Sequence, residues 1–212
     1  MTLLKSTTDT IASLAGLDEN HSLTALRARR PAALTHAQRS HDVLLSDPLP
    51  DSQTHFVRVE RYAIAAFTAA LHQDNTALAE YQRALLQHEA PAKLGWVDAL
   101  ETLAERALAA RVQGPWGVYP SGPLSPEDDP GPAFTLQPQE RGIFGKHLAA
   151  ALEHTHLLVF HPRDASAGAL AGLQDNGWTT QGIVTLSQLV SFLAFQLRMA
   201  HGLRILASTL KD

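Results

Sequence analysis

The sequence predicts an all-α protein, and three observations carry that expectation. Apolar residues recur at helical spacing along most of the 212-residue chain. Stretches of β-branched residues alternating with polar ones are scarce, and no Asn-Gly or Asp-Gly pair joins two such stretches as a hairpin turn. Proline and glycine concentrate in one region, residues 113–138, which separates two helical halves, 1–112 and 139–212, of what reads as a single domain. With 45% hydrophobic residues the chain can bury a substantial core.

Each element has a local reason. "STTD" at Ser6–Asp9 fits a capping box, so a short first helix is expected from there to Gly16. "SLTALRARRPAALTHAQRSHDVLL" reads as two helical pieces broken at Pro31, because proline lacks an amide and disfavours helix in the residue before it. Leu34, Ala37, His41 and Leu44 line one face of the second piece. From Gln53 to His72 a helix carries Tyr62, Ala63, Ala66, Phe67, Ala70 and Leu71 on its core face, widened by Ile64 and Ala65. Asp74 or Asn75 is the expected cap of the next helix, "TALAEYQRALLQH", and Pro91 the expected opening of another that runs through "WVDALETLAERALAARV".

The Pro/Gly-rich arm contains Trp116, Tyr119 and Phe134, and disordered segments are poor in aromatic rings. These rings are therefore expected to dock, on the parent fold or on a neighbouring subunit. Beyond the arm come a helix over about Gln139–Phe160, a short one in "ASAGALAGLQDNG", and a long one over about Thr180–Ser208 with two apolar lines. The segments "VERYAIAAFTAAL" and "QERGIFGKHLAAAL" echo one another, each opening with Glu-Arg before an apolar face.

A formal net charge of −4 provides no general positive field for nucleic acid or an anionic membrane. The N-terminal residues lack the continuous apolar stretch of a signal peptide, and "IVTLSQLVSFLAF" is shorter than a bilayer span, so a cytoplasmic protein is expected. The absence of cysteine excludes disulfides, thiolate nucleophiles and Cys-ligated metals. No Gly-rich dinucleotide loop, phosphate-binding loop or nucleophile elbow occurs, and no cofactor is expected. The eleven histidines include His147, His154, His156 and His161, yet no HExxH or i,i+4 pair is formed, and structural or solvated roles are expected rather than a metal site. "LQDNGWTTQGIVTLSQLV" has the outline of a helix-turn-helix, but its second helix offers Ile, Val and Leu where a groove reader needs polar groups, so it reads as a packing corner.

The remaining polar group of interest is Glu60, Arg61, His72, Asp74, Tyr81 and Arg83. Turned inward, Glu60 is a proton-transfer group, with His72 or Tyr81 as partner. Arg61, Asp74 and Arg83 are the groups expected to hold a substrate. Turned along its own helix, Glu60 is a carboxylate favoured by the macrodipole and paired with Arg58 or Arg61.

"VERYAIAAFTAALHQDNTALAEY" and "LQDNGWTTQGIVTLSQLVSFLAFQLR" together resemble the alkylhydroperoxidase AhpD-like superfamily, also called the carboxymuconolactone decarboxylase family. "IASLAGLDENHSLTALRARRPAALTHAQ" further resembles a Cys-less branch whose members accompany a Cys-containing relative. The resemblance implies an AhpD-like helical bundle and gives Glu60 the place of the relay carboxylate. It puts the two cysteine positions near His72–Asp74 and Asn75–Ala77, and the relay histidine near Ala79–Tyr81. Thiol peroxidase activity is then expected to be absent from the isolated chain. Three functions follow as expectations: a homo-oligomer binding a small molecule or partner, a thiol-independent decarboxylase or isomerase acting on a small oxo-acid or lactone, and a scaffold for a Cys-containing AhpD-like protein.

Overall fold

The computed structural model describes residues 9–18, 22–46, 56–88, 95–111, 117, 119–127 and 133–210. Among them the chain is all-α. Its helices are α1 Thr10–Leu14, α2 Ser22–Ala28, α3 Pro31–His41 continued by a π-turn at Asp42–Ser46, α4 Arg58–Leu71, α5 Asn75–His88, α6 Trp96–Ala109, α7 Pro138–Phe160, α8 Ala167–Asp175 and α9 Thr180–Thr209. The expected capping box at Ser6, the helix start at Gln53, the opening at Pro91 and the ring of Trp116 lie outside the described residues.

α4 is the centre. Ala63, Ile64, Ala65, Ala66, Phe67 and Ala69 are all fully buried, and α5, α6, α7 and α9 pack around it. Its small alanines allow close interhelical approach on several sides. Arg58 opens this helix, rather than Gln53, because Val57 at the N-cap is extended and Phe56 before it is outside the helix and committed to the core. Asp9 also departs from expectation: it is the cap of α1 itself, accepting from the Ala12 amide at 3.2 Å.

The turn between α4 and α5 is a Schellman motif. The Asp74 amide donates to the Ala69 carbonyl at 3.0 Å and the Gln73 amide to that of Ala70 at 2.9 Å. Its left-handed position is held by Gln73 at φ 56°, where glycine is the ordinary choice. The corner after α8 repeats the motif with Gly177 in that role, at φ 93°.

α7 contains an interruption absent from the expected Gln139–Phe160 helix. Gly145 adopts φ 73°, ψ 162°, so 138–144 and 146–160 are two helical runs joined at a break. Space does not impose the glycine, since a Cβ there would meet nothing within 4 Å; the backbone angle does.

The rings of the arm dock on the parent fold where they are described. The Tyr119 hydroxyl reaches the Asp164 carboxylate and bonds the Arg163 carbonyl at 2.8 Å, while Phe134 stacks on His156 with ring centres 4.4 Å apart. The 30-residue α9 has the length and mean hydropathy, 1.4, of a membrane span, exceeding the shorter apolar run considered from sequence. Half of that apolar window is packed inside the fold, as in a core helix.

Candidate functional site

Glu60 lies in the first turn of α4, its side chain only 13% exposed. Val57 at the N-cap has no side-chain acceptor, so no capping box forms. Glu60 Oε1 instead lies 3.4 Å from Nδ1 of His147, which follows the Gly145 break. Trp178 fixes that imidazole: the two rings stack 4.3 Å apart at 5°, and the indole N–H donates to the His147 carbonyl at 2.9 Å. Phe56 meets the indole in an edge-to-face contact with ring centres 4.9 Å apart. Two atoms of this group, Glu60 Oε2 and His147 Nε2, are buried without a hydrogen-bond partner among the described residues. Such groups ordinarily find partners, so the pair is under-satisfied by about two hydrogen bonds.

A carboxylate beside an imidazole held flat by an indole can pass a proton between oxygen and nitrogen. The 3.4 Å separation is long for a direct hydrogen bond and leaves the two groups coupled loosely.

Glu60 is not joined by the partners expected from sequence. His72 caps the far end of the same helix, twelve residues on, which at 1.5 Å per residue is roughly 18 Å away. Burial, reinforced by Arg198, lowers the pKa of His72, and its Nε2 has no partner among the described residues. Tyr81 is buried in α5, where its hydroxyl lies close to the Gln196 amide without reaching hydrogen-bond geometry. Burial pushes its phenol far above the ordinary range, so it is a neutral hydroxyl.

The expected substrate-holding groups are committed elsewhere. Arg61, 1% exposed, donates from Nε to the Phe56 carbonyl at 2.9 Å and lies over the Phe56 ring. Asp74 caps α5 by accepting from the Ala77 amide at 3.1 Å, and its other oxygen pairs with Arg204 of α9 at 2.5 Å. Arg83 is exposed and paired with Glu80 one turn away. Among the described residues no three His, Asp or Glu side chains gather as a metal-binding set.

Sequence reasoning missed His147 and Trp178 as Glu60's neighbours. The available signal was "NGWTT", a left-handed glycine followed by a large ring and a threonine cap, which brings Trp178 back over α7. Among the described residues lie a cavity of about 350 Å³ between α7, α8 and residues 133–135 and one of about 500 Å³ between α3 and α9. Glu60 lines neither.

Compared with family models, with curated proteins and with solved structures, the chain matches none.

Proposed function

We propose that this chain is a thiol-free, AhpD-like homo-oligomer that works by binding a small molecule or a protein partner and has no peroxidase chemistry of its own. The observation that carries this reading is the state of the α4–α5 corner, where the resemblance puts the redox cysteines. Asp74 occupies it as a helix cap and is tied across the bundle to Arg204, with no group present that can attack a peroxide oxygen. Oligomer formation is supported by α9, whose outer line Phe195, Met199, Leu206 and Leu210 is exposed and follows helical spacing through Gly202.

Light scattering of the purified protein at micromolar concentration tests the assembly. The expected result is a dimer or larger, and Phe195→Glu with Met199→Glu is expected to reduce it to a monomer of unchanged helicity. A monodisperse wild-type monomer sinks the oligomer. Hydroperoxide consumption with a dithiol reductant is expected to stay at the background rate.

A second reading, thiol-independent acid–base catalysis, is favoured by one observation: the buried Oε2 of Glu60, without a partner among the described residues, beside an imidazole stacked on Trp178. Its residues are Glu60 and His147 rather than Glu60 with His72 or Tyr81. Turnover of a lactone or oxo-acid panel that disappears in Glu60→Gln, with the melting temperature unchanged, is the result that would establish it.

A further inference from the structure

The groove of about 500 Å³ between α3 and α9 is polarised along α3. Its α3 wall runs from His36 and Arg39 to Val43 and Leu44, one helical face that at 1.5 Å per residue is roughly 12 Å from end to end. The basic end is exposed, Val43 is half-buried and Leu44 is buried, and half-buried Phe192 of α9 completes the apolar floor. Gln188 and Ser191 form an uncharged rim opposite. The volume falls within the range for small-molecule sites, about 300–1,000 Å³.

Two observations point to an occupant, and the first is charge. The chain carries a net −4, yet residues 20–41 hold Arg27, Arg29, Arg30 and Arg39 and no carboxylate. Arg27 is taken by Asp9 at 2.7 Å, whereas Arg39 has no ion-pair partner among the described residues. No Asp or Glu lines the groove, and the nearest acid in sequence, Asp42, accepts from the Gln38 side-chain amide at 2.8 Å. A negative group placed here meets a guanidinium without a competing carboxylate in the lining.

The second observation is backbone. Val43 and Leu44 stand in the π-turn at Asp42–Ser46, where the i→i+5 pattern widens the turn and moves side chains out of α-helical register. Such turns are rare and recur at functional sites. This one forms the apolar end of the groove.

We propose that this groove binds the free anion of a medium-chain aliphatic acid, with its carboxylate on Arg39 and its chain along Val43, Leu44 and Phe192. An extended chain advances roughly 1.2 Å per bond, as the peptide backbone does, so about ten heavy atoms in line fill the length. The inference rests on the binding reading above and supplies its ligand class and its place.

Calorimetry on the full chain tests it with octanoate, 1-octanol and octylammonium, which share a chain and differ in head charge, each kept below its micelle or solubility limit. Octanoate is expected to bind saturably at one per chain, several-fold more tightly than 1-octanol and more tightly still than octylammonium. Affinity should rise from butanoate through hexanoate to octanoate and level off by dodecanoate, whose tail overruns the groove. Arg39→Glu reverses the charge at an exposed position and should invert the order, placing octylammonium above octanoate. Ser191→Trp, also at an exposed lining position, sets a ring across the opening and should abolish octanoate binding while helicity is retained.

Octylammonium binding as tightly as octanoate, an unchanged order in Arg39→Glu, undiminished binding in Ser191→Trp, a continued rise at dodecanoate, or no octanoate binding up to its micelle limit would each overturn the proposal. Light scattering with and without octanoate separates the two readings. An oligomer that ignores octanoate removes only the ligand, and a monomer that binds it removes only the assembly.

Discussion

The two Glu-Arg corners of the molecule share a backbone and differ in what they face. Val57 and Gln137 precede their helices at nearly identical angles, φ −71° with ψ 156° and 159°. Each arginine four residues on donates from Nε to the carbonyl five residues before it, Arg61 to Phe56 at 2.9 Å and Arg141 to Leu136 at 3.3 Å. The glutamates then diverge. Glu140 accepts from the Gln137 amide at 2.6 Å and pairs with Arg106 through both oxygens, whereas among the described residues Glu60 has His147 at 3.4 Å and one oxygen without a partner. Local sequence builds the corner, but the residue arriving from another helix decides whether the carboxylate is structural or left available.

The arginines give the largest test of that contrast. Arg61→Met, at a position 1% exposed, should cost about 3 kcal/mol in urea unfolding, because the Phe56 carbonyl loses its donor inside the core. Arg141→Met, whose side chain is 37% exposed, should cost under about 1 kcal/mol. Equal losses would break the idea that the first corner is the buried one.

Acid is the next test: burial lowers the pKa of His72 in the first half and, by a larger shift, that of His156 in the second. His156 in the second half resists protonation when folded, down to about pH 4, while the unfolded ring takes up its proton near 6.5. The unfolded state therefore binds more protons between those values, and stability is complete above about pH 6.5 and falls as the pH drops toward 4. His156→Phe should flatten that part of the stability–pH curve; an unchanged slope would assign the acid sensitivity to other groups.

The glutamates provide the closest comparison. Glu140→Gln should cost about 1 kcal/mol, through a weakened capping box and a lost ion pair. Glu60→Gln should stay within about 0.5 kcal/mol of wild type, since one of its oxygens already lacks a partner. A Glu60→Gln loss as large as that of Glu140→Gln would show both carboxylates to be structural.

The two Schellman turns are expected to respond with opposite signs. Gln73→Gly should stabilise the protein by about 0.5 kcal/mol by relieving the left-handed backbone, while Gly177→Ala should destabilise it by about 1 kcal/mol. Matched thermal melts would register the opposite signs.

Much of this fold is legible in the sequence because helical periodicity is a local property. The buried face of α4, the cap at Asp74, the packing corner at Trp178 and the docking of Tyr119 and Phe134 can all be read from spacing and composition. The Glu-Arg echo also has a structural counterpart in the two matched corners. What could not be read is which helix supplies each partner. His147 is 87 positions from Glu60 and Arg204 is 130 from Asp74, separations over which no periodicity carries information. Asp74 and Arg61 look functional as isolated polar residues, and their hydrogen bonds make them part of the frame.

Glycine 145 has a geometric effect larger than its size. Glu140 and His147 are seven positions apart, and in one unbroken helix they would project within about 20° of each other. The mirror-image dihedral resets the helical phase between them, so one stretch of chain clasps Arg106 with its leading end and presents an imidazole to Glu60 with its trailing end. An alanine forced into regular helix there would realign the two side chains, leaving the bundle able to satisfy one neighbour only by abandoning the other.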